Sequence, residues 1–255
     1  MNVARMRRAI GRGAVLAPGA LVAALAFSLT PAAHAATFTW ADWNSETPTG
    51  PNSGVVLGDF GGTGISITYS GEVQSSTQVG DSGSDYWTAD GGQDTDWYPA
   101  YISPTVSNAP LTTDMIGIDG LSGNTDTFTF SSPIVDPVMD LISLGGATTV
   151  TYTFDAPFVL LSQGPAHFGG SNTALTQPAA NEISGTEGDG TLEFLGTFSS
   201  LTFVTGGNPE FWNGFSLGIQ GAASAAPEPG SLALLGAGLL PVGAALLRRR
   251  NRRAA

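Results

Sequence analysis

From Thr37 to Gln220 the chain consists of short runs of β-branched and aromatic residues, broken by Gly, Asn, Asp, Ser and Pro. Gly64-Ile65-Ser66-Ile67-Thr68-Tyr69 alternates apolar with polar, and so do Asp126-Thr127-Phe128-Thr129-Phe130 and Thr149-Val150-Thr151-Tyr152-Thr153-Phe154. Thr191-Leu192-Glu193-Phe194-Leu195 and Ser200-Leu201-Thr202-Phe203-Val204 repeat the pattern. A period of two sends successive side chains to opposite faces, so each run predicts a strand with one face on a core and the other wet. About ten to twelve such runs, spaced near ten residues apart, predict an all-β fold, a single two-sheet sandwich or jelly roll over residues 36–221. No stretch of this region carries a helical stripe of useful length. Pro133, Pro137 and Pro157 should mark strand starts, edges or bulges, because proline cannot donate to a ladder.

The two ends follow different patterns. Residues 1–35 have a basic start, an apolar run from Ala14 to Leu29, and the small-residue site Ala33-His34-Ala35, the three parts of a secretory signal peptide. Ala33 and Ala35 are the expected cleavage-site residues for signal peptidase, and the mature chain would begin at Ala36. An N-terminal anchor fits less well, since the apolar run is short and contains Pro18 and Gly19. At the other end a small-residue linker, 222–226, leads to Pro227-Glu228-Pro229, an apolar run from Gly230 to Leu247, and Arg248-Arg249-Arg250-Asn251-Arg252-Arg253. As a helix, residues 230–247 would span roughly 27 Å, about the thickness of a bilayer core, with the arginines held on the cytoplasmic side.

Charge divides along the same lines. All nine basic residues lie in the terminal segments, whereas Glu228 is the only one of the 21 acidic residues outside residues 36–226. The formal charge of −12 for the whole chain therefore understates the negative charge of the middle. Such a surface repels nucleic acid, whose partners need Lys or Arg against phosphate, and it repels anionic lipid headgroups. Without internal cations, apolar burial and ladder hydrogen bonds must hold the fold. There is no cysteine, so disulfides and thiolate metal sites are excluded.

Little catalytic chemistry is legible. His167 is the one histidine beyond the signal, and no Gly-x-Ser-x-Gly elbow occurs, which argues against a Ser-His-Asp enzyme. Phosphate chemistry lacks a Walker loop and a cation, and zinc lacks ligands. A carboxylate pair acting on a glycosidic bond remains open, with no pair singled out. The most unusual stretch, Asp81 to Tyr101, sets Asp81, Asp85, Asp90, Asp94 and Asp96 among Tyr86, Trp87, Trp97, Tyr98 and Tyr101. Asp90, Asp94 and Asp96 on a glycine-rich loop suit structural calcium, although the spacing is not that of an EF-hand and a solvated acidic loop is the alternative. Asp119, Asn124 and Asp126 form a second candidate. Trp87 and Trp97 either stack on sugar rings or fill the end of the sandwich.

The tail resembles the PEP-CTERM sorting signal of Gram-negative bacteria, in the order Pro-Glu-Pro, short apolar helix, Arg cluster. The resemblance implies that Pro227, Glu228 and Pro229 are recognised by an exosortase-like membrane protease, and that Arg248, Arg249, Arg250, Arg252 and Arg253 fix orientation. It also implies delivery to the cell surface or extracellular matrix through a transient inner-membrane intermediate; an ordinary single-pass anchor is the alternative. Phe128–Met139, Ser143-Leu144-Gly145-Gly146, Glu187–Phe194 and Phe211–Gly218 are similar to a β domain found before such tails, a family with no activity to transfer. The expectation is a non-enzymatic surface or matrix protein, with a carbohydrate-binding module for extracellular polysaccharide, or a carboxylate-dependent glycoside hydrolase or lyase, as alternatives.

Overall fold

The computed structural model describes residues 35–88 and 98–220. The expected signal cleavage residue Ala33, the linker and the sorting tail with its helix lie outside the described residues, as do Asp90, Asp94, Asp96 and Trp97. In chain order, β1 (Phe38–Trp40), β2 (Asp42–Gly50), β3 (Ser53–Phe60) and β4 (Ile65–Gly71) precede a long connection that carries the single helical turn α1 (Tyr98–Tyr101). Then come β5 (Ile116–Ile118), β6 (Thr125–Val135), β7 (Val138–Leu144), β8 (Val150–Phe154) and β9 (Val159–Gln163). β10 (Leu175–Ala179), β11 (Glu182–Gly185), β12 (Gly188–Glu193), β13 (Thr197–Gly207) and β14 (Asn213–Gln220) complete the fold.

Two antiparallel sheets pack as a sandwich. One runs β10-β11-β8-β13-β6-β4-β3-β2, and the other β1-β14-β7-β12-β9 with β5 also on β14. The alternating runs read from the sequence fall on β4, β6, β8, β12 and β13. Their apolar faces meet in one core, in which Phe128 lies 5.3 Å from Tyr69 and 5.7 Å from Phe215, and Tyr152 lies 4.7 Å from Phe203. Rings at these spacings and tilts place edges on faces and add to the area they bury. The prolines sit as expected: Pro133 lies where the β6–β13 register shifts, Pro137 in the β6–β7 turn, and Pro157 just before β9.

One expectation requires correction. Alternation predicted a wet outer face for every strand, yet β7 is buried at all seven positions and β14 at all but Gln220. Met139 and Leu141 of β7 belong to the inter-sheet core, whereas Ile142 packs with Trp87, Tyr101, Met115 and Ala166, and Val138 with Phe38, Trp40 and Val106. The described residues of the connection between β4 and β5, Trp87, Tyr101, Val106 and Met115 among them, therefore form a third layer over the smaller sheet. It covers a polar row: Ser216 pairs in register with Asp140, and Asp140 with Thr191, whose hydroxyl donates to Asp140 at 2.5 Å. Buried in this way, Asp140 is pushed well above the usual carboxylate range, and a protonated acid is the form that tolerates the site.

Candidate functional site

Three chain reversals meet at one end of the sandwich. Ser143 comes from the end of β7, Glu187 from the β11–β12 turn and Glu210 from the β13–β14 connection. Ser143 (φ 55°) and Glu187 (φ 51°) are both left-handed, a costly conformation for residues with a Cβ and one that clusters at functional sites. They are held there cooperatively. The Ser143 hydroxyl donates to Glu187 Oε2 at 2.6 Å, and the Ser143 amide donates to Asp189 Oδ1 at 2.8 Å. Asp189 Oδ1 also accepts the Tyr101 hydroxyl at 3.1 Å, which ties the groove floor to the covering layer. Burial pushes the Asp189 carboxyl up to about 7.

Glu210 faces Glu187 across Gly146. Its Oε1 accepts the Gly145 amide at 2.7 Å. A Cβ on Gly146 would sit 2.9 Å from Glu210 Oε2 and 3.3 Å from Glu187 Oε1, so the two oxygens flank a space that any larger residue would fill. Burial, reinforced by the charges of Glu187 and Asp119 and opposed by the Gly145 amide, pushes Glu210 up to about 8.

Above these acids stands a wall of rings. Tyr86 lies 5.4 Å from Phe168, 5.5 Å from Trp212 and 5.0 Å from His167, and Phe168 lies 5.0 Å from Trp212. Phe211 next to them is 94% exposed and Phe168 is 44% exposed. Rings and acids together line an open groove of about 900 Å³. An exposed aromatic rim over a polar floor marks a ligand surface, because single exposed rings are ordinary but contiguous ones are not.

A second acidic site lies elsewhere. Asp42, Asp81 and Asp114 bring one carboxylate oxygen each within 4.8 Å of one another. Asp114 is buried and accepts the Trp43 amide at 2.9 Å; burial, with the charges of Asp42 and Asp81 adding to it, raises it to about 6. Burial and the charges of Asp59 and Asp81 also raise Asp42. Three hard oxygen donors with no cationic side chain suit a divalent cation such as calcium.

The residues singled out from sequence fare differently. Trp87 is 1% exposed and its indole N–H donates to the Asp114 carbonyl, so it is a core ring and not a stacking surface. Asp119, Asn124 and Asp126 take part in a hydrogen-bond network around Glu72. Asp126 Oδ1 accepts the Tyr69 hydroxyl and the Glu72 amide, while the Glu72 carboxylate takes the Asp119 and Leu121 amides and the Asn124 side chain. His167 belongs to the ring wall. Glu187, Glu210, Phe168, Phe211 and Trp212 were not singled out for chemistry; the adjacent aromatics Phe211-Trp212 beside Glu210 were the available signal. No family model, no curated protein and no solved structure matches the chain.

Proposed function

We propose that the chain is an exported surface or matrix protein whose β-sandwich binds extracellular polysaccharide in the aromatic groove. The observation that carries this reading is the rim of Tyr86, Phe168, Phe211 and Trp212 over the hydrogen-bonding groups of Ser143, Glu187 and Glu210. Sugar rings present apolar C–H faces and hydroxyl edges, and this groove offers partners for both. The export route rests on the signal-like 1–35 segment and on the tail from Pro227, which resembles exosortase substrates. Binding measured on a glycan array should fall at least tenfold in Phe211→Ala and Trp212→Ala. Binding unchanged in both removes the reading.

The Glu187–Glu210 pair favours a second reading, hydrolysis of the bound glycan. Two carboxyl groups close together, one kept protonated near neutral pH, are the acid and nucleophile of a retaining glycosidase. Release of reducing sugar from cell polysaccharide, abolished in Glu210→Gln, supports it. No release by the unaltered protein removes it.

Structural calcium at Asp42, Asp81 and Asp114 is part of the same proposal: the cation would secure the first residues of β2 to the covering layer.

A further inference from the structure

We infer that the aromatic groove is selective for glycans bearing free amino groups, such as a de-N-acetylated hexosamine polymer. This rests on the glycan-binding reading and adds the charge of the ligand. Glu210 Oε2 and Glu187 Oε1 flank the position of the absent Gly146 side chain, in a space open to the groove. No Lys or Arg occurs between residues 13 and 247, so no lysine or arginine of the sandwich pairs with the two acids. Asp119, which also acts on Glu210, is negative as well.

The positive charge must therefore arrive with the ligand. An ammonium group carries three donors and a full charge and satisfies two carboxylates, while uronate, sulfate and phosphate groups are repelled. An amino sugar adds what a simple cation lacks, a ring to lie on the exposed face of Phe211. A sugar ammonium docked beside Glu210 favours the ionised form of a carboxyl that is mostly protonated at pH 7, so binding of the already charged amine displaces that proton. A neutral glycan on the same rings releases none.

The test is calorimetric titration of the full-length chain in detergent at pH 6, where the sugar amines are mostly charged before they bind. The ligands are a glucosamine hexamer, its N-acetylated counterpart, a cellulose hexamer and hexalysine, each in buffers of low and high ionisation enthalpy. The glucosamine hexamer should bind at least tenfold more tightly than either neutral glycan, weaken with salt, and release a proton that the neutral glycans do not. Glu187→Gln with Glu210→Gln should erase that preference, so that the glucosamine hexamer and the neutral glycans bind this variant equally. Gly146→Ala, which fills the space between the acids without removing a hydrogen-bonding group, should do the same. Equal affinity for glucosamine and N-acetylglucosamine hexamers overturns the inference and leaves the glycan-binding reading standing. Hexalysine binding as tightly as the glucosamine hexamer also overturns it, since charge alone would then suffice. Failure of every glycan to bind, with Phe211→Ala indistinguishable from the unaltered chain, overturns both.

Discussion

Replacing Asp189 with Asn tests whether the fold is burdened by its own buried acids. The carboxyl is fully buried, with Oδ1 accepting from Ser143 and Tyr101 and Oδ2 without a partner. Burial raises it from 3.8 to about 7. An acid whose folded value lies above its unfolded one keeps a proton that the unfolded chain has lost. Stability therefore falls as pH climbs from about 4 and levels off above about 7. The gap between 3.8 and about 7 corresponds to about 4 kcal/mol at pH 8 and about 2 kcal/mol at pH 5. Asn keeps an acceptor oxygen for both donors and carries no charge, so it escapes the penalty. In urea melts at pH 5 and pH 8 the unaltered protein should lose about 2 kcal/mol more than Asp189→Asn over that interval. Parallel pH profiles for the two proteins would refute the reasoning, because they would mean that Asp189 ionises as easily folded as unfolded.

Three further outcomes are expected. Phe128→Ala removes a ring in contact with Trp43, Tyr69, Phe203 and Phe215 and should cost about 3 to 5 kcal/mol in chemical denaturation. Glu72→Ala frees the Asp119 and Leu121 amides together and should cost at least about 2 kcal/mol, with hydrogen exchange accelerated across residues 119–124. Calcium at a hundred times its Kd should raise the stability of the chain by about 3 kcal/mol over chelator, and Asp42→Asn with Asp81→Asn should abolish the difference. A melting midpoint indifferent to calcium would rule out a tight site.

The sandwich was legible because its strands alternate cleanly: Phe128, Phe130, Leu201 and Phe203 each stand two residues from their nearest core neighbour. The third layer was not legible. Asp140, Ser216 and Gly218 occupy the positions where alternation expects a wet face, and nothing local says that Trp87, Tyr101, Val106 and Met115 pack on that side of the sheet. For Trp87 the sequence left core filling and sugar stacking both open, and what decides for the core is long-range, since its burial depends on Met115 and Tyr101 reaching it. The acidic sites are long-range by construction. Asp81 stood out in a conspicuous run, but Asp42 and Asp114 come from distant segments, and Glu187 and Glu210 meet only because β7, β12 and β14 are neighbours in one sheet. Composition did carry the decisive electrostatic fact, a sandwich with no lysine or arginine to answer its carboxylates.

Hydroxyl-radical footprinting, read residue by residue in the presence and absence of the producing cell's polysaccharide, tests the central claim most directly. Binding in the groove predicts that Phe211, Phe168, Tyr86 and Trp212 become protected, while Leu57, Val135 and Leu195, which are also exposed but lie away from it, keep their oxidation rates. Protection confined to those three aliphatic residues, or no protection anywhere at saturating polysaccharide, would contradict it.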